Sequence, residues 1–263
     1  SQTGYSLKKH IHRIYIKSKV QELEMDLGIQ KKVAFITGGS RGLGKAAAIS
    51  LAKEGATIGI CSRDENSVGN TVEELKNLGA EVKGFVADIS DLSQLKNLHS
   101  KITRELGEIE ILVNNVGGSK AKGDFTETPL QGFQETFDLN LFGSFELMKL
   151  VTPNMISRKW GRVINIASIW GREYGGNISY MSAKAALIAA TKHAAVSLVQ
   201  HGVLINSVAP GSVAHAQGSW EKFQNDNTKE AIDDFIKNNL PMGKFGWAEP
   251  VGDLVAFLSS DRI

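Results

Sequence analysis

Short runs of β-branched and apolar residues alternate with longer segments of helical pattern from Lys32 onward. A parallel strand needs a crossover connection, usually a helix, so this alternation predicts repeated βαβ units. The strand segments are apolar on both faces, which is typical of a sheet buried between two layers of helices. We therefore predict an α/β fold, a doubly wound parallel sheet with helices on both faces. Strands are expected at residues 33–37, 57–61, 82–87, 109–113, 162–167 and 204–208.

The segments that follow the strands have the pattern expected of the connecting helices. Glycines such as Gly107 and Gly202 mark helix ends, where glycine is common. After the sixth strand, broken helical structure is predicted up to residue 239. Regular helices are expected at residues 42–54, 66–78, 92–106, 130–157, 180–200 and 250–259.

The composition excludes several classes of function. A net charge of +2 over 263 residues is too close to neutral for nucleic acid to be the main partner. No apolar run approaches the roughly 18 residues that a membrane span needs. The single cysteine, Cys61, cannot form an internal disulfide and fits a reducing compartment, so we expect a cytoplasmic protein. The six histidines show no ligand spacing, and no metal site is expected.

The first 24 residues differ from the rest of the chain. Seven basic side chains and no acidic one occur among the first 20 residues. Such a composition is compatible with an organellar targeting segment, with a leader and with a mobile extension. We therefore treat residues 1–24 as a basic N-terminal extension or leader and residues 25–263 as the functional domain.

A glycine-rich loop joins the first predicted strand to the first predicted helix, between Thr37 and Gly44. Glycines let the chain turn tightly and bring backbone N–H groups close to a pyrophosphate, which the helix N-terminus also attracts. The sequence therefore predicts a single nucleotide-binding domain of the Rossmann type. Its candidate phosphate-loop residues are Gly38, Ser40, Arg41, Gly42, Leu43 and Gly44.

The tip of the second strand bears on the choice of cofactor. An acidic residue there would bind the ribose 2′-hydroxyl of NAD, whereas arginine accommodates the 2′-phosphate of NADP. Ser62 occupies the tip, Arg63 follows it, and Arg41 lies in the phosphate loop. Asp64 comes one residue too late for the NAD role. We therefore favour NADP(H) over NAD(H); the alternative is that Arg63 and Asp64 form a solvated surface pair.

Tyr180 and Lys184 are four residues apart in a predicted helix, and Ser168 lies upstream of them. Residues at this spacing share one face of a helix, so the Lys184 ammonium can sit beneath the Tyr180 ring. A nearby cation favours the phenolate, and we expect it to lower the Tyr180 pKa from its usual value of about 10. Ser168 can supply a hydroxyl to the same substrate oxygen. These three residues are candidates for proton transfer, unless a surface tyrosine and a surface lysine share the helix by chance.

The order of these motifs resembles that of the short-chain dehydrogenases/reductases, of the size typified by 3-oxoacyl-(acyl-carrier-protein) reductases. The resemblance extends from about Met25 to Ile263. It implies an oxidoreductase that transfers a hydride between nicotinamide and a carbonyl or secondary alcohol. Besides the phosphate loop and Tyr180 with Lys184, it rests on Ser168 and on the segments Ala87-Asp88-Ile89, Asn114-Asn115-Val116-Gly117, Asp138-Leu139-Asn140-Leu141 and Pro210-Gly211-Ser212-Val213.

The family pattern implies cofactor contacts at both ends of the dinucleotide. Asp88 is similar to the acid that hydrogen-bonds the adenine amine, and Ile89 to the residue that packs on the ring. Asn115 and Gly117 resemble the loop near the adenosine ribose, where glycine permits close backbone approach. The nicotinamide end would be held by Tyr180 and Lys184 at the ribose and by Pro210, Gly211, Ser212 and Val213 beside the carboxamide.

The resemblance also implies a catalytic group of four residues. Tyr180 would give a proton to the substrate oxygen, Ser168 would hydrogen-bond that oxygen, and Lys184 would tune Tyr180. Asn140 is similar to a helical residue that holds a water and links the site to solvent through Lys184. A polar helix residue facing water is the alternative for Asn140.

We expect an NADP(H)-dependent ketoreductase, similar to the 3-oxoacyl-(acyl-carrier-protein) reductases, that acts on a small-molecule carbonyl or alcohol as a homodimer or homotetramer. Two alternatives stay open: an NAD-dependent alcohol or sugar dehydrogenase, and a non-catalytic dinucleotide-binding regulatory protein. The family pattern continues into a C-terminal strand that is absent from the sequence ending at Ile263. We expect either truncation of the given sequence or the loss of an edge strand.

The stretch at residues 215–245 should set the substrate. Its Trp220, Phe223 and Phe235 are predicted either to line a mobile lid or to belong to ordinary helix cores. A cationic rim would suit an acidic or carrier-linked substrate, although surface solvation accounts equally well for the same residues. The residues expected to border the pocket are Lys120, Lys122, Trp170 and Arg172.

Overall fold

The computed structural model describes residues 25–121 and 123–263 of the chain. The predicted extension at residues 1–24, and Lys122 of the predicted rim, lie outside the described residues. Strands and helices alternate from Val33 to Leu258, as the sequence predicts.

The described residues form six strands: β1 (Val33–Thr37), β2 (Thr57–Ser62), β3 (Val82–Val86), β4 (Ile111–Asn114), β5 (Gly161–Ile166) and β6 (Val203–Val208). They make one sheet in the order β3-β2-β1-β4-β5-β6, and every neighbouring pair is parallel. The strand order reverses between β1 and β4, so a crevice opens beyond the carboxyl ends of these two strands. This arrangement confirms the predicted Rossmann-type sheet.

Helices cover both faces of the sheet, also as predicted. A π-helical turn at Asp138–Phe142 joins two of them, and short 3₁₀ turns occur at Ile169–Gly171 and Val199–His201. The α-helices of the described residues are α1 (Gly42–Lys53), α2 (Glu65–Asn77), α3 (Leu92–Leu106), α4 (Leu130–Phe137), α5 (Gly143–Arg158), α6 (Ile178–Leu198), α7 (Ser219–Asp226), α8 (Lys229–Asn239) and α9 (Glu249–Leu258).

Two hydrophobic cores lie on opposite faces of the sheet, because successive side chains of a strand point to opposite sides. Ile36 of β1 belongs to the core formed with α1, α2 and α9, where Leu51 and Val255 are fully buried. The adjacent Phe35 belongs to the other core, formed with α3 and α5, where it meets the Phe85 ring edge-on. The two cores hold the sheet between helix layers and leave its carboxyl edge free for loops.

The structure departs from the predicted boundaries in two informative places. β4 begins at Ile111 instead of residue 109, because Glu110 turns its carboxylate to the Val33 N–H and the Lys32 ammonium. The helix predicted at residues 130–157 is interrupted by the π-helical turn, which contains Asn140. In the described part of the chain, no helix is long and apolar enough to cross a membrane.

Candidate active site

A cavity of about 750 Å³ lies beyond the carboxyl ends of the strands, where the strand order reverses. Loops that follow β1, β2, β3, β4, β5 and β6 all contribute to its wall. Open α/β sheets bind ligands at this place. The cavity is therefore the candidate site, and its residues are described below from the phosphate loop onward.

Glycines and hydrogen bonds from neighbouring residues determine the conformation of the loop between β1 and α1. Gly38 and Gly42 have φ values of +63° and +54°, a conformation that glycine adopts without strain. The Asn115 amide donates to the carbonyl oxygens of Thr37 (3.0 Å) and Gly38 (3.2 Å). The Thr71 hydroxyl donates to the Ser40 carbonyl oxygen at 3.0 Å. The loop is thus fixed before any ligand binds, with its backbone next to the start of α1.

Close packing accounts for the absence of a side chain at Gly44. A Cβ atom at Gly44 would overlap the Gly38 carbonyl oxygen and lie 2.5 Å from the Asn115 amide nitrogen. A Cβ atom at Gly42 would lie 2.7 Å from the imidazole ring of His215, which reaches the loop from the far side of the cavity. The cradle is therefore closed from both sides by contacts that require glycine.

The residues at the tip of β2 bear on the choice of dinucleotide. Ser62, Arg63 and Arg41 line the same end of the cavity. Asp64 lies beyond the strand and caps α2, because its carboxylate accepts a 2.7 Å hydrogen bond from the Ser67 N–H. Its hydrogen bonds with the Ser67 hydroxyl and N–H lower the pKa of Asp64. The carboxylate is thus engaged in the helix cap.

Asp88 follows β3 and is oriented by its own turn. Its carboxylate accepts hydrogen bonds from the backbone N–H (2.9 Å) and the hydroxyl (2.7 Å) of Ser90. Burial tends to raise the pKa of Asp88, but these hydrogen bonds and the charges of Arg63 and Lys120 outweigh it and lower the pKa. Arg63 approaches the carboxylate to 3.7 Å. Asp88 is therefore an anion in the cavity wall close to Arg63, next to the buried side chain of Ile89.

Tyr180 and Lys184 are one turn apart near the start of α6, and both line the cavity. Asn177 caps this helix through a 3.0 Å hydrogen bond from the Ser179 N–H. Ser168 follows β5, and its hydroxyl oxygen accepts from the Trp170 N–H at 3.2 Å. The Lys184 ammonium donates to the Ile166 carbonyl oxygen at 2.8 Å. A phenol, a hydroxyl and an amine thus share one wall.

The expected lowering of the Tyr180 pKa is wrong for this environment. Burial raises the pKa of Tyr180, and the contact with the Ser168 hydroxyl offsets only part of that increase. Burial also lowers the pKa of Lys184 from 10.5 to about 7, so its ammonium is only partly populated near neutral pH. Desolvation disfavours both charged forms and is the largest cause of both pKa shifts.

Asn140 lies behind the cavity wall. It is fully buried in the π-helical turn, and its amide donates to the carbonyl oxygens of Gly118 and Thr136, both at 2.7 Å. Its side-chain oxygen accepts from the Gly118 N–H at 3.1 Å. A Cβ atom at Gly117 would lie 2.9 Å from both the Asn140 oxygen and the Lys184 nitrogen. Asn140 therefore braces the loop that follows β4, close to Lys184.

The structure brings most of the predicted site residues to one cavity. Of the predicted set, Gly42, Gly44 and Asn140 lie in or behind the wall without lining it. The predicted residues that line the cavity are Gly38, Ser40, Arg41, Leu43, Ser62, Arg63, Asp88, Ile89, Asn115, Gly117, Ser168, Tyr180, Lys184, Pro210, Gly211, Ser212 and Val213.

Other lining residues were not identified from the sequence. Asn177 had a usable signal, because asparagine just before a helical segment is a typical N-cap. His215 and Gln217 had none, since their place in the wall depends on how the segment before α7 folds back over the phosphate loop. The Arg41 guanidinium reaches the Gln217 side-chain oxygen at 3.5 Å. Of the predicted rim, Trp170 lines the cavity, whereas Lys120 and Arg172 do not.

The chain is similar to known enzymes over most of its length. A sequence model of the family described as short chain dehydrogenase matches residues 32–227. The chain is 33% identical over 235 residues to the BbsD subunit of the (2S)-(R)-hydroxy(phenyl)methylsuccinyl-CoA dehydrogenase of Thauera aromatica, and the match covers 89% of this chain and 92% of that protein. It is 30% identical over 236 residues to the 3-oxoacyl-(acyl-carrier-protein) reductase FabG of Thermotoga maritima, with coverage of 89% and 92%.

The fold is also similar to that of solved structures. The crystal structure of L-sorbose reductase from Gluconobacter frateurii, complexed with NADPH and L-sorbose, superposes with a TM-score of 0.84 at 27% identity. The match covers 90% of this chain and 93% of that one. Sequence, sheet order and cavity position therefore agree: the chain belongs to the short-chain dehydrogenase/reductase family and is an NAD(P)-dependent oxidoreductase.

Proposed function

We propose that the protein is an NADP(H)-dependent ketoreductase that interconverts a small-molecule ketone and its secondary alcohol, similar to the 3-oxoacyl-(acyl-carrier-protein) reductases. One observation carries the proposal. The Tyr180 phenol, the Ser168 hydroxyl and the Lys184 amine face the same cavity as the phosphate loop. A carbonyl held there would be within reach of a proton donor at one end of a dinucleotide site.

The proposed roles follow from the charge that develops on the substrate oxygen. Tyr180, whose raised pKa keeps the phenol protonated at neutral pH, donates its proton to that oxygen. Ser168 hydrogen-bonds the oxygen as it becomes negative. Lys184, fixed by the Ile166 carbonyl, places its amine near the Tyr180 ring and supports the phenolate that remains. A bound reduced nicotinamide would supply the hydride to the carbonyl carbon.

The chain offers a cradle that fits a dinucleotide. Asn115 and Val116 pack closely against Gly38 and Gly44 and hold the loop in shape, and the N-terminus of α1 points its N–H groups towards the loop. Asp88 and Ile89 would hold the adenine, and Asn115 and Gly117 would border its ribose. The pyrophosphate and nicotinamide ends would be held by Gly38, Ser40, Arg41, Gly42, Leu43, Gly44, Tyr180, Lys184, Pro210, Gly211, Ser212 and Val213.

The preference for NADP(H) rests on charge at the tip of β2. Arg41 and Arg63 are exposed at the cavity end where Ser62 ends the strand, and arginine suits a phosphate through paired N–H donors. The carboxylate that would favour NAD, that of Asp64, is engaged in the cap of α2. The similar L-sorbose reductase was crystallised with NADPH, which supports the same choice.

Asn140 is proposed as a positioning residue with access to the proton path. A π-helical turn interrupts the regular hydrogen-bond ladder of a helix and is frequent at functional sites. The Asn140 side chain hydrogen-bonds the N–H and the carbonyl oxygen of Gly118 and so connects this turn to the loop beside the Lys184 nitrogen. A water bound at the turn would then connect Lys184 to solvent.

Assembly into a homodimer or homotetramer is proposed from exposed apolar side chains. Phe142 and Phe145, on either side of the first residue of α5, and Val196 and Val199, around the last residue of α6, are between 43% and 65% exposed. Large apolar groups of this kind are common at subunit contacts. Light scattering on the purified protein would test this, and a monomer at micromolar concentration would contradict it.

The function is tested by a panel of ketones and alcohols, with turnover followed at the nicotinamide absorbance in the presence of either cofactor. Reduction of ketones with a higher kcat/KM for NADPH than for NADH is expected. A preference for NADH with sugars or simple alcohols would instead favour the NAD-dependent dehydrogenase. Binding of dinucleotide without turnover of any compound would favour a regulatory protein.

A further inference from the structure

The wall of the cavity next to Tyr180 is formed by two tryptophans. Trp170 lies in the 3₁₀ turn that follows Ser168, and Trp220 lies in the first turn of α7. The Trp170 and Tyr180 rings meet edge to face with centroids 6.3 Å apart and an interplanar angle of 84°. The Trp170 and Trp220 centroids are 6.0 Å apart. A continuous aromatic wall therefore begins at the proposed proton donor.

Trp170 is held in place by backbone packed directly against its indole. A Cβ atom at Gly175 would overlap the indole nitrogen, and one at Gly176 would lie 2.6 Å from the six-membered ring. Both glycines have positive φ values, +156° and +70°. The loop before α6 therefore forms a tight cover for the ring. These contacts hold the Trp170 side chain in one position in the cavity wall.

Trp220 is anchored from the other side by the segment at residues 219–245. Its ring contacts those of Phe223, Phe235 and Phe245 at centroid distances of 5.7, 5.0 and 5.3 Å. Neither α7 nor α8 contains a fully buried residue, so this cluster is the main apolar contact of the two helices. The three aromatic side chains Trp220, Phe223 and Phe235 thus pack together, as the helix-core alternative predicts, and Trp220 also lines the cavity, whereas motion of the segment stays a prediction.

Charged groups lie at the opposite end of the cavity. Among the described lining residues, Arg41, Arg63, Asp64 and Asp88 belong to the loops after β1, β2 and β3. Lys184, the charged residue near Tyr180, directs its ammonium to the Ile166 carbonyl. His215 also lines the cavity, but its ring packs against Gly42 of the phosphate loop. Among the described lining residues, Lys184 is thus the one cation beside Tyr180 for a carboxylate or phosphate of the substrate.

Two polar side chains of the cavity wall, those of Asn177 and Ser119, already have partners within the protein. The Asn177 amide donates to the Gly123 carbonyl oxygen at 3.3 Å, and its side-chain oxygen accepts from Ser179. The Ser119 hydroxyl donates to the Ala121 carbonyl oxygen at 2.7 Å. A polyhydroxylated substrate would have to break these hydrogen bonds to pair its own hydroxyls with Asn177 or Ser119. An apolar ring could bind without breaking any of these hydrogen bonds.

We infer that the site takes a neutral aromatic ketone, with the aryl ring against Trp170 and Trp220 and the carbonyl at Tyr180 and Ser168. Aromatic rings prefer offset-stacked or edge-to-face contact at centroid distances of about 4.5–7 Å, the spacing that the two indoles already show. The inference deepens the proposed function and rests on it, since it names the class of ketone that the same site reduces.

The test compares ethyl benzoylacetate, ethyl 3-oxohexanoate and fructose as substrates with NADPH. We expect the aryl ketone to have a kcat/KM at least about tenfold above that of the alkyl ketone, and fructose to be poorest. Trp170→Leu should lower the aryl-to-alkyl ratio by about three- to tenfold, the range expected from loss of one aromatic pair. Trp170→Phe keeps a ring and should retain most of the ratio, which guards against a folding effect.

Trp247→Leu is the matched control, because Trp247 is 48% exposed and does not line the cavity. Its ratio should equal that of the unmodified protein. An unchanged ratio in a folded Trp170→Leu protein would overturn the inference. Better turnover of the alkyl ketone or fructose would also overturn it and leave the ketoreductase proposal intact. Failure of all three substrates with both cofactors would overturn the two together.

Discussion

The Lys184 nitrogen lies 5.7 Å from the centroid of the Tyr180 ring, and both side chains are held among buried atoms. Burial moves the pKa of the phenol up and that of the amine down, so each group is biased towards its uncharged form. A protonated phenol beside a partly charged amine suits proton donation to a carbonyl oxygen.

Replacement of Tyr180 with phenylalanine should abolish turnover and leave dinucleotide binding nearly unchanged. The change removes the proposed proton donor and keeps the ring against Trp170. General acid catalysis contributes about 10²–10⁴-fold, and kcat should fall by that amount. Tyr174→Phe is the control, because Tyr174 is 96% exposed. Full activity in Tyr180→Phe, measured on a proven ketone, would show that the proton comes from another group.

The fold was largely predictable because burial between two helix layers imposes a local pattern. Both faces of a strand such as β1 must be apolar, and a glycine-rich turn from such a strand into a helix is typical of dinucleotide-binding sheets. Strand and helix ends were predicted less well, since they depend on single contacts such as that of Glu110 with Val33. The π-helical turn at Asn140 left no periodic signal that distinguishes it from a regular helix.

The identity of the site residues was easier to predict than their chemistry. The four-residue spacing of Tyr180 and Lys184 fixed their common face, but the sign of the Tyr180 pKa shift depends on desolvation by groups distant in sequence. Trp170 was placed beside the pocket, whereas its contact with Trp220 requires α7 to fold back across the site. Long-range packing of this kind has no local sequence signature.

Lys184 should make stability depend on pH in a defined window. The folded state lowers its pKa from 10.5 to about 7, so between these values the unfolded chain binds a proton that the folded chain lacks. The free energy of unfolding therefore rises with pH through this window, by up to about 1.4 kcal/mol per pH unit from this group. Below about pH 7 both states are protonated and the contribution is constant.

This pH dependence is tested by measuring the unfolding free energy of the unmodified protein and of Lys184→Met in urea at several pH values. The difference in unfolding free energy between the two should grow in favour of the unmodified protein from about pH 7 to 10.5. Lys192→Met, an exposed position of the same helix, should follow the unmodified protein. Parallel curves for the protein and Lys184→Met across this range would contradict the burial of the amine.

Arg41 and Arg63 should carry the preference for NADP(H). Hydrogen bonds to charged groups contribute about 1.5–3 kcal/mol, so Arg63→Ala should raise the NADPH dissociation constant by about 10- to 100-fold. The NADH constant should change little, because no 2′-phosphate is present. Arg41→Ala should act in the same direction, and Arg104→Ala, at an exposed site of α3, should have no effect. Equal losses for both cofactors in a fluorescence titration would contradict this assignment.

A methyl group at Gly44 should disrupt the phosphate cradle. The added atom would overlap the Gly38 carbonyl oxygen and press on the Asn115 amide, and such overpacking costs about 1–3 kcal/mol. Gly44→Ala should weaken NADPH and NADH alike by at least about tenfold. Gly69→Ala is the matched control, since Gly69 is also helical and has no atom within 4 Å of the new methyl. It should gain up to about 1 kcal/mol of stability and bind both cofactors normally. Normal binding by Gly44→Ala would mean that the loop can widen.

Asp261 should stabilise the fold at the edge of the sheet remote from the cavity. Its carboxylate accepts a hydrogen bond from the Trp160 indole N–H at 2.6 Å and approaches the Arg162 guanidinium to 3.7 Å. The backbone N–H of Asp261 donates to the Leu27 carbonyl oxygen at 2.9 Å. Arg162 is buried, which lowers its pKa, and the charge of Asp261 offsets part of that effect. Loss of the carboxylate therefore leaves a buried cation without its ion pair.

Because Asp261 is half exposed, solvent screens the pair, and Asp261→Ala should cost about 1–2 kcal/mol of unfolding free energy. Asp261→Asn keeps an acceptor for the Trp160 indole N–H and should lose less. Asp233→Ala, at an exposed position of α8, should be neutral. Stability is measured by urea titration. An unchanged dependence of the unfolding free energy on urea concentration checks that unfolding stays two-state. Equal stability of Asp261→Ala and Asp233→Ala would contradict the role, because Arg162 would then be satisfied by the carbonyl oxygens of Ser260 and Gly161, to which it donates at 3.0 and 3.1 Å.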